Sequence, residues 1–170
     1  MAFERWIDGQ GKVRIRRVSS PPIDYADLTN APAPPIRSVK TITETRANVT
    51  ALSNDADLRL QVNANTSYAL TGVLMFVAGT AVDARMRFTS ISGAELRYTR
   101  DLDNTTAGQA LFNTSYLIPT NTGNRQTTIS GVLMTGSSGG ELVLQWAQNV
   151  SSASALTLRK GSYLMLTPLT

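Results

Sequence analysis

Two short acidic clusters, Asn54-Asp55-x-Asp57 and Asp101-x-Asp103-Asn104, set carboxylates two residues apart, a spacing at which a loop can wrap a hard cation such as calcium. Neither is followed by the sixth-place glycine or the twelfth-place glutamate of an EF-hand. Asp and Asn also dominate ordinary turns, so solvated turn residues are the favoured reading, and no metal or cofactor is assigned. A glycosidase would need two acids about 5–10 Å apart across a cleft. No cluster of sugar-stacking aromatics accompanies these acids.

The 170-residue chain has no histidine and no cysteine. Without histidine, acid–base catalysis near neutral pH would rest on carboxylates, lysine or tyrosine shifted by burial, and most triad mechanisms fall away. Without cysteine there are no disulfides, thiolate metal sites or thiol nucleophiles. The composition therefore predicts a non-enzyme.

The remaining reactive-looking feature is basic. Lys12, Arg14, Arg16 and Arg17 form a run that could meet phosphates, but no aromatics interleave it. Alternation with Val13 and Ile15 suits a short edge strand guarded by charge, so an acidic protein surface is the preferred partner and nucleic acid is disfavoured. Net charge is +4, and residues 1–46 hold eight Lys/Arg against five Asp/Glu, so three of the four excess charges lie there. Trp6 and Tyr25 are the large apolar anchors of this region.

From Asn48 onward the apolar residues alternate with period two, as in half-buried strands. Leu58, Leu60 and Val62 share one face, as do Val82, Ala84, Met86 and Phe88, and again Leu142, Leu144 and Trp146, which reads as a core residue. The segments 69–77 and 129–134 are apolar on both faces, as is the last strand, where Tyr163 and Met165 alternate with Leu164 and Leu166. Such strands need cover on both sides, which makes Met75, Val77, Tyr163 and Met165 the candidate subunit interface. Gly79-Thr80, Ser92-Gly93, Asn121-Thr122-Gly123-Asn124 and the run Gly136 to Gly140 supply the turns. Gly72-Val73-Leu74-Met75 and Gly131-Val132-Leu133-Met134 form an internal echo, each read as the start of a hairpin. Length, strand count and turn spacing predict an all-β, antiparallel two-sheet jelly roll of about eight strands over residues 48–170.

Residues 1–47 differ. Ser19-Ser20-Pro21-Pro22 and Ala31-Pro32-Ala33-Pro34-Pro35 favour extended, polyproline-like backbone, so the segment is expected to be an attachment arm ordered by a partner. The start of the chain lacks an apolar signal region, and no run approaches the ~18 apolar residues of a membrane span. The five Asn-x-Ser/Thr sequons, at Asn48, Asn65, Asn104, Asn113 and Asn149, are what an Asn/Ser/Thr-rich chain produces by chance.

The stretch Pro22-Ile23-Asp24-Tyr25-Ala26-Asp27-Leu28-Thr29-Asn30-Ala31-Pro32 resembles the short linkers that precede head domains in phage tail-fibre proteins. Gly140-Glu141-Leu142-Val143-Leu144-Gln145-Trp146-Ala147-Gln148-Asn149, with the ending Gly161-Ser162-Tyr163-Leu164-Met165-Leu166, resembles domains of tailed-bacteriophage minor tail proteins. The ending is also similar to the last strand of tumour-necrosis-factor and complement-head jelly rolls. The resemblance implies a non-enzymatic virion structural protein, made in the host cytoplasm without a signal peptide. It further implies a homotrimeric head whose arm, through Trp6, Arg14, Arg16, Arg17 and Tyr25, docks on another virion protein of the tail or the capsid. A minor tail or tail-tip role in host-surface recognition is expected, with the loops 101–107 and 121–126 meeting a host glycan or receptor. A capsid decoration protein and a carbohydrate-binding sandwich are the alternatives.

Overall fold

The computed structural model describes residues 2–18, 33–79, 82–102, 105–110, 112, 114–120 and 123–169, with backbone alone at 2–4, 16–18, 101, 102 and 105–110. Every regular element among them is a β-strand, and every pairing is antiparallel. Two compact units divide the chain, residues 1–32 and 33–170.

The first unit holds a two-stranded hairpin, β1 (Ala2–Ile7) and β2 (Val13–Val18). Its turn is organised by Asp8, whose Oδ1 accepts the main-chain N–H groups of Gln10 and Lys12, both at 3.0 Å. Val13 to Arg17 is thus an edge strand, paired with residues 3–7 in a two-stranded sheet that the acidic turn closes.

The second unit is the sandwich. Its strands are β3 (Ile36–Val39), β4 (Glu44–Arg46), β5 (Ser53–Val62), β6 (Ser67–Ala78), β7 (Ala84–Phe88), β8 (Glu95–Leu102), β9 (Thr105–Ala110), β10 (Tyr116–Ile118), β11 (Gly123–Met134), β12 (Gly140–Gln148), β13 (Leu156–Leu158) and β14 (Tyr163–Leu169). The large sheet runs β3-β14-β6-β11-β8-β9, with β13 joining β6 to β4, and the small sheet runs β10-β7-β12-β5. Eight of these strands, β3, β5, β6, β7, β10, β11, β12 and β14, form the framework. Numbered along the chain, they lie in the order 1-8-3-6 in one sheet and 5-4-7-2 in the other, which is the strand order of a jelly roll. The hairpin β8–β9 is an insertion that widens the large sheet beyond β11.

The fold class read from the sequence therefore holds, but the arm boundary moves. Residues 36–39 pair with β14 and residues 44–46 with β13, so residues 33–47 belong to the sandwich and not to the arm. Short strands of three and four residues are too brief to declare a period, and the flanking prolines hid them. The two Gly-Val-Leu-Met copies are also not hairpins. Each lies in the large sheet, β6 or β11, and is followed by a crossing to the small sheet, β7 or β12. In both copies the glycine sits where strands approach closely. A Cβ on Gly72 would stand 2.7 Å from the carbonyl oxygen of Tyr163, and one on Gly131 would strike the carbonyl of Arg97.

The core lies between the sheets, where alternating residues of facing strands interdigitate. Leu58, Leu60, Met86, Phe88, Leu142, Leu144 and Trp146 come from the small sheet, and Tyr68, Leu70, Leu74, Phe76, Tyr98, Leu164 and Leu166 from the large one, all buried. Phe76 meets Trp146 edge-on at 5.8 Å between ring centroids, and Phe88 meets Tyr98 at 5.1 Å.

Candidate functional site

The interface residues read from the sequence gather on the outer face of the large sheet. Register brings Tyr163 opposite Val73 and Val39, and Met165 opposite Thr71 and Arg37. On the other flank of β6, Met75 stands opposite Gln126 and Val77 opposite Asn124. Met75, Val77, Tyr163 and Met165 are each half-buried, while Val132 and Met134 are 39% exposed. None of the outward residues of β14, β6 and β11 is charged; Arg37 on β3 and Glu95 and Arg97 on β8 stand at the margins. A shallow depression in this face is lined by Arg97, Thr99, Ser130 and Val132, with Tyr98 and Gly131 between them. The strand β14 is internal, lying between β3 and β6, as its two apolar faces require.

On the hairpin, Trp6 and Arg14 are direct cross-strand partners and so share a face. Trp6 is 45% exposed, and Ile7, Val13 and Ile15 are also exposed. Arg14 Nε donates to Asp8 Oδ2 at 2.8 Å, and this contact, with the two turn N–H groups, holds the Asp8 carboxyl below its usual range. The side chains of Arg16 and Arg17 lie outside the description, and Tyr25 and the 22–32 linker lie outside the described residues.

The acidic pair at 54–57 is not a solvated turn. It belongs to β5, where the register with β12 jumps: Val143 faces Arg59, but Gln145 faces Asn54. Four residues of β5 thus oppose Leu144 alone, and this bulge turns Asp55 into the interior. Asp55 Oδ1 accepts the N–H groups of Asp57 at 3.0 Å and Leu58 at 2.9 Å, two donors released from the ladder by the bulge. Its Oδ2 accepts from Lys40 Nζ at 2.6 Å and from the Trp146 indole at 3.0 Å. Burial works to raise the Asp55 pKa, but the lysine and the three other donors outweigh it and hold the carboxyl below its ordinary range.

Lys40 follows β3 and is fixed by its own backbone, its N–H bonding the Ser162 carbonyl at 2.7 Å and its carbonyl accepting from Gly161 at 2.8 Å. Its ammonium, 2% exposed, also meets Glu44 Oε2 at 3.1 Å. Glu44 Oε1 is gripped by Arg46, at 2.9 Å from Nε and 2.7 Å from Nη2. Arg46 in turn stacks on Trp146, 3.8 Å from the ring centroid, and donates to the Trp146 and Ser53 carbonyls. Sequence reasoning missed this cluster because Lys40, Glu44 and Arg46 fell in the expected arm.

Only the first residue of the second acidic cluster is described. Asp101 lies in β8, which pairs with β9, while Asp103 and Asn104 fall outside the described residues. Most of the expected host-facing loops at 101–107 and 121–126 is strand: β8 and β9 claim the first, and β11 the second from Gly123. Among the described residues no three His, Cys, Asp or Glu side chains are grouped as metal ligands, and no helix is long and apolar enough to cross a membrane.

The Gln-Trp-Ala-Gln string is scaffold. Gln145 accepts from Arg87 Nε at 2.6 Å and donates to Asn54 at 2.8 Å. Gln148, fully buried, accepts the N–H groups of Val49 and Ser152 and donates to the carbonyls of Ser152 and Ser154.

No family model matches the chain, and no curated protein matches it. Among solved structures it is similar to that of the infectious bursal disease virus Gt strain, at 16% identity over 97% of this chain and 42% of that one, with a TM-score of 0.23. A Gx-strain structure of the same virus gives 16% identity over 96% and 45%, TM-score 0.23. The virus's VP2 subviral particle gives 13% over 82% and 40%, TM-score 0.22. The chain spans less than half the length of each of these structures.

Proposed function

We propose that this chain is a non-enzymatic structural protein of a phage virion, a jelly-roll head that assembles as a homotrimer through the outer face of its large sheet. The observation that carries the reading is the uncharged outer surface of β14, β6 and β11, where Tyr163, Met165, Met75 and Val77 lie half-buried among threonines and valines. Interfaces are depleted of charge at their centres and keep it at the rim, the distribution that Arg37, Glu95 and Arg97 give this face. Closed symmetry would bury the same patch on every copy.

The hairpin supplies the attachment. Its exposed Trp6 beside Arg14 matches the composition of binding hot spots, and a two-stranded sheet gains order on a partner's surface. The tail-protein resemblance of the 140–149 string and the 22–32 linker favours the tail, with the capsid shell as the other position on the particle.

Sedimentation of the native chain and of a Met75→Lys, Met165→Lys double variant tests the assembly. The native chain is expected as a trimer, and the variant as a folded monomer with an unchanged circular dichroism spectrum. A native chain that stays monomeric at micromolar concentration would remove the proposal. Labelling of intact particles then separates tail from shell, and a glycan array tests the carbohydrate-binding alternative.

A further inference from the structure

Lys40, Asp55 and Glu44 meet in the arrangement that an amide-forming condensation requires. The lysine Nζ lies 2.6 Å from Asp55 Oδ2, close enough for the nitrogen to reach Cγ, and both side chains are buried, at 2% and 0% exposure. Such fixed proximity converts a bimolecular reaction into an intramolecular one, with effective concentrations on the order of 10⁵ M or more. Glu44 Oε2, 3.1 Å from the same nitrogen, is placed to accept its proton, and Arg46 occupies Oε1 so that Oε2 faces the lysine. The N–H groups of Asp57 and Leu58 converge on Oδ1, forming a donor pair for the negative charge that an addition at Cγ would place on that oxygen.

We propose that Lys40 and Asp55 are a self-modifying site, at which an intramolecular isopeptide bond forms between Lys40 Nζ and Asp55 Cγ with Glu44 as the proton carrier. Glu44 takes a proton from the ammonium, and the freed lone pair adds to Cγ, forming the N–C bond. Oδ1 carries the charge against the Asp57 and Leu58 N–H groups. Collapse breaks the Cγ–Oδ2 bond, and Oδ2 leaves as water with the two protons that Nζ has lost, at least one of them passed on by Glu44. Ammonium plus carboxylate gives amide plus water, so atoms and charge balance without oxidant, metal or added reagent.

The reacting form is the neutral amine beside a carboxyl group, a minor partner of the ion pair. One turnover per chain is enough. Glu44 reaches the surface and offers the water a way out. The product would tie the end of β3, in the large sheet, to β5, in the small one, so that the two layers could not part. This inference does not depend on the chain's place in a virion.

Denaturing mass spectrometry of the full native chain provides the test. The expected mass is that of the sequence less one water, and trypsin is expected to release a branched peptide joining residues 38–46 to residues 47–59, uncut after Lys40. Lys40→Arg is expected at full sequence mass. Glu44→Gln is expected to fold, by its near-ultraviolet dichroism, and to retain the water. A folded native chain at full sequence mass after prolonged incubation overturns the bond, as does a water deficit mapped to other residues. A Glu44→Gln chain that loses water as fast as the native one overturns the role of Glu44.

Discussion

Asp57 Oδ2 accepts the main-chain N–H of Thr41 at 2.8 Å and its hydroxyl at 3.1 Å, so the bulge of β5 holds the turn that leaves β3. The same oxygen takes a longer bond from Ile42 N–H. The Thr41 N–H is the largest influence on Asp57 and lowers its pKa from the ordinary 3.8. A carboxyl group whose folded pKa is depressed contributes stability that is present above its unfolded pKa and is lost as pH falls through the folded value. Asp57 therefore contributes to an acid-side loss of stability below about pH 4. In Asp57→Asn that part of the loss is expected to vanish, while Asp8 in the hairpin continues to titrate. Urea melts at stepped pH measure it, and an unchanged acid limb in the variant counts against the assignment.

Gly72 answers to packing. Any side chain there would press on the Tyr163 carbonyl and on Leu164, in the centre of the large sheet. Backbone cannot yield as a flexible side chain would, so Gly72→Ala is expected to cost about 1–3 kcal/mol by overpacking. The cost should appear as a lower urea midpoint with an unchanged slope.

Trp146 links the layers through its edge contact with Phe76 and links β12 to β5 through its indole bond to Asp55. Trp146→Phe keeps a ring in the core but removes the donor and leaves part of the indole volume empty. A loss of about 1–3 kcal/mol is expected from the missing bond and the residual cavity. Chemical denaturation followed by far-ultraviolet dichroism measures it, and a loss below ~0.5 kcal/mol would mean that the indole bond is dispensable.

How far the sequence reaches depends on whether period two survives. Leu58, Leu60 and Val62 keep it, as do Ala84, Met86 and Phe88, and their buried face could be read directly. Asp55 could not, because it lies three residues from Leu58, an offset that strict alternation sends to the wet face. Only the bulge opposite Leu144 returns it to the interior. Lys40 was hidden differently. Its partners are fifteen and four residues away in segments too short to show a pattern, and nothing local distinguishes a buried lysine from a solvated one. The outer residues Met75 and Met165 were identified from apolar character on both faces, a signal that needs no knowledge of strand order.

Gln148 shows how a polar side chain can organise a loop from inside. It is fully buried, and its amide bonds to four main-chain groups: N–H of Val49, both the N–H and the carbonyl of Ser152, and the carbonyl of Ser154. Gln148→Ala would strand three of these groups around a small cavity, while the Ser152 carbonyl keeps the Asn48 N–H at 2.8 Å, at a cost of about 1–3 kcal/mol for each that water cannot reach. Because Ser152 and Ser154 lie near the surface, water should rescue part of that loss, and the damage should concentrate in residues 149–155. Hydrogen exchange is expected to quicken in that segment and at Val49, while the amides of β6 and β11 at the centre of the large sheet stay protected. Uniform acceleration across both sheets would instead show that Gln148 supports the whole sandwich.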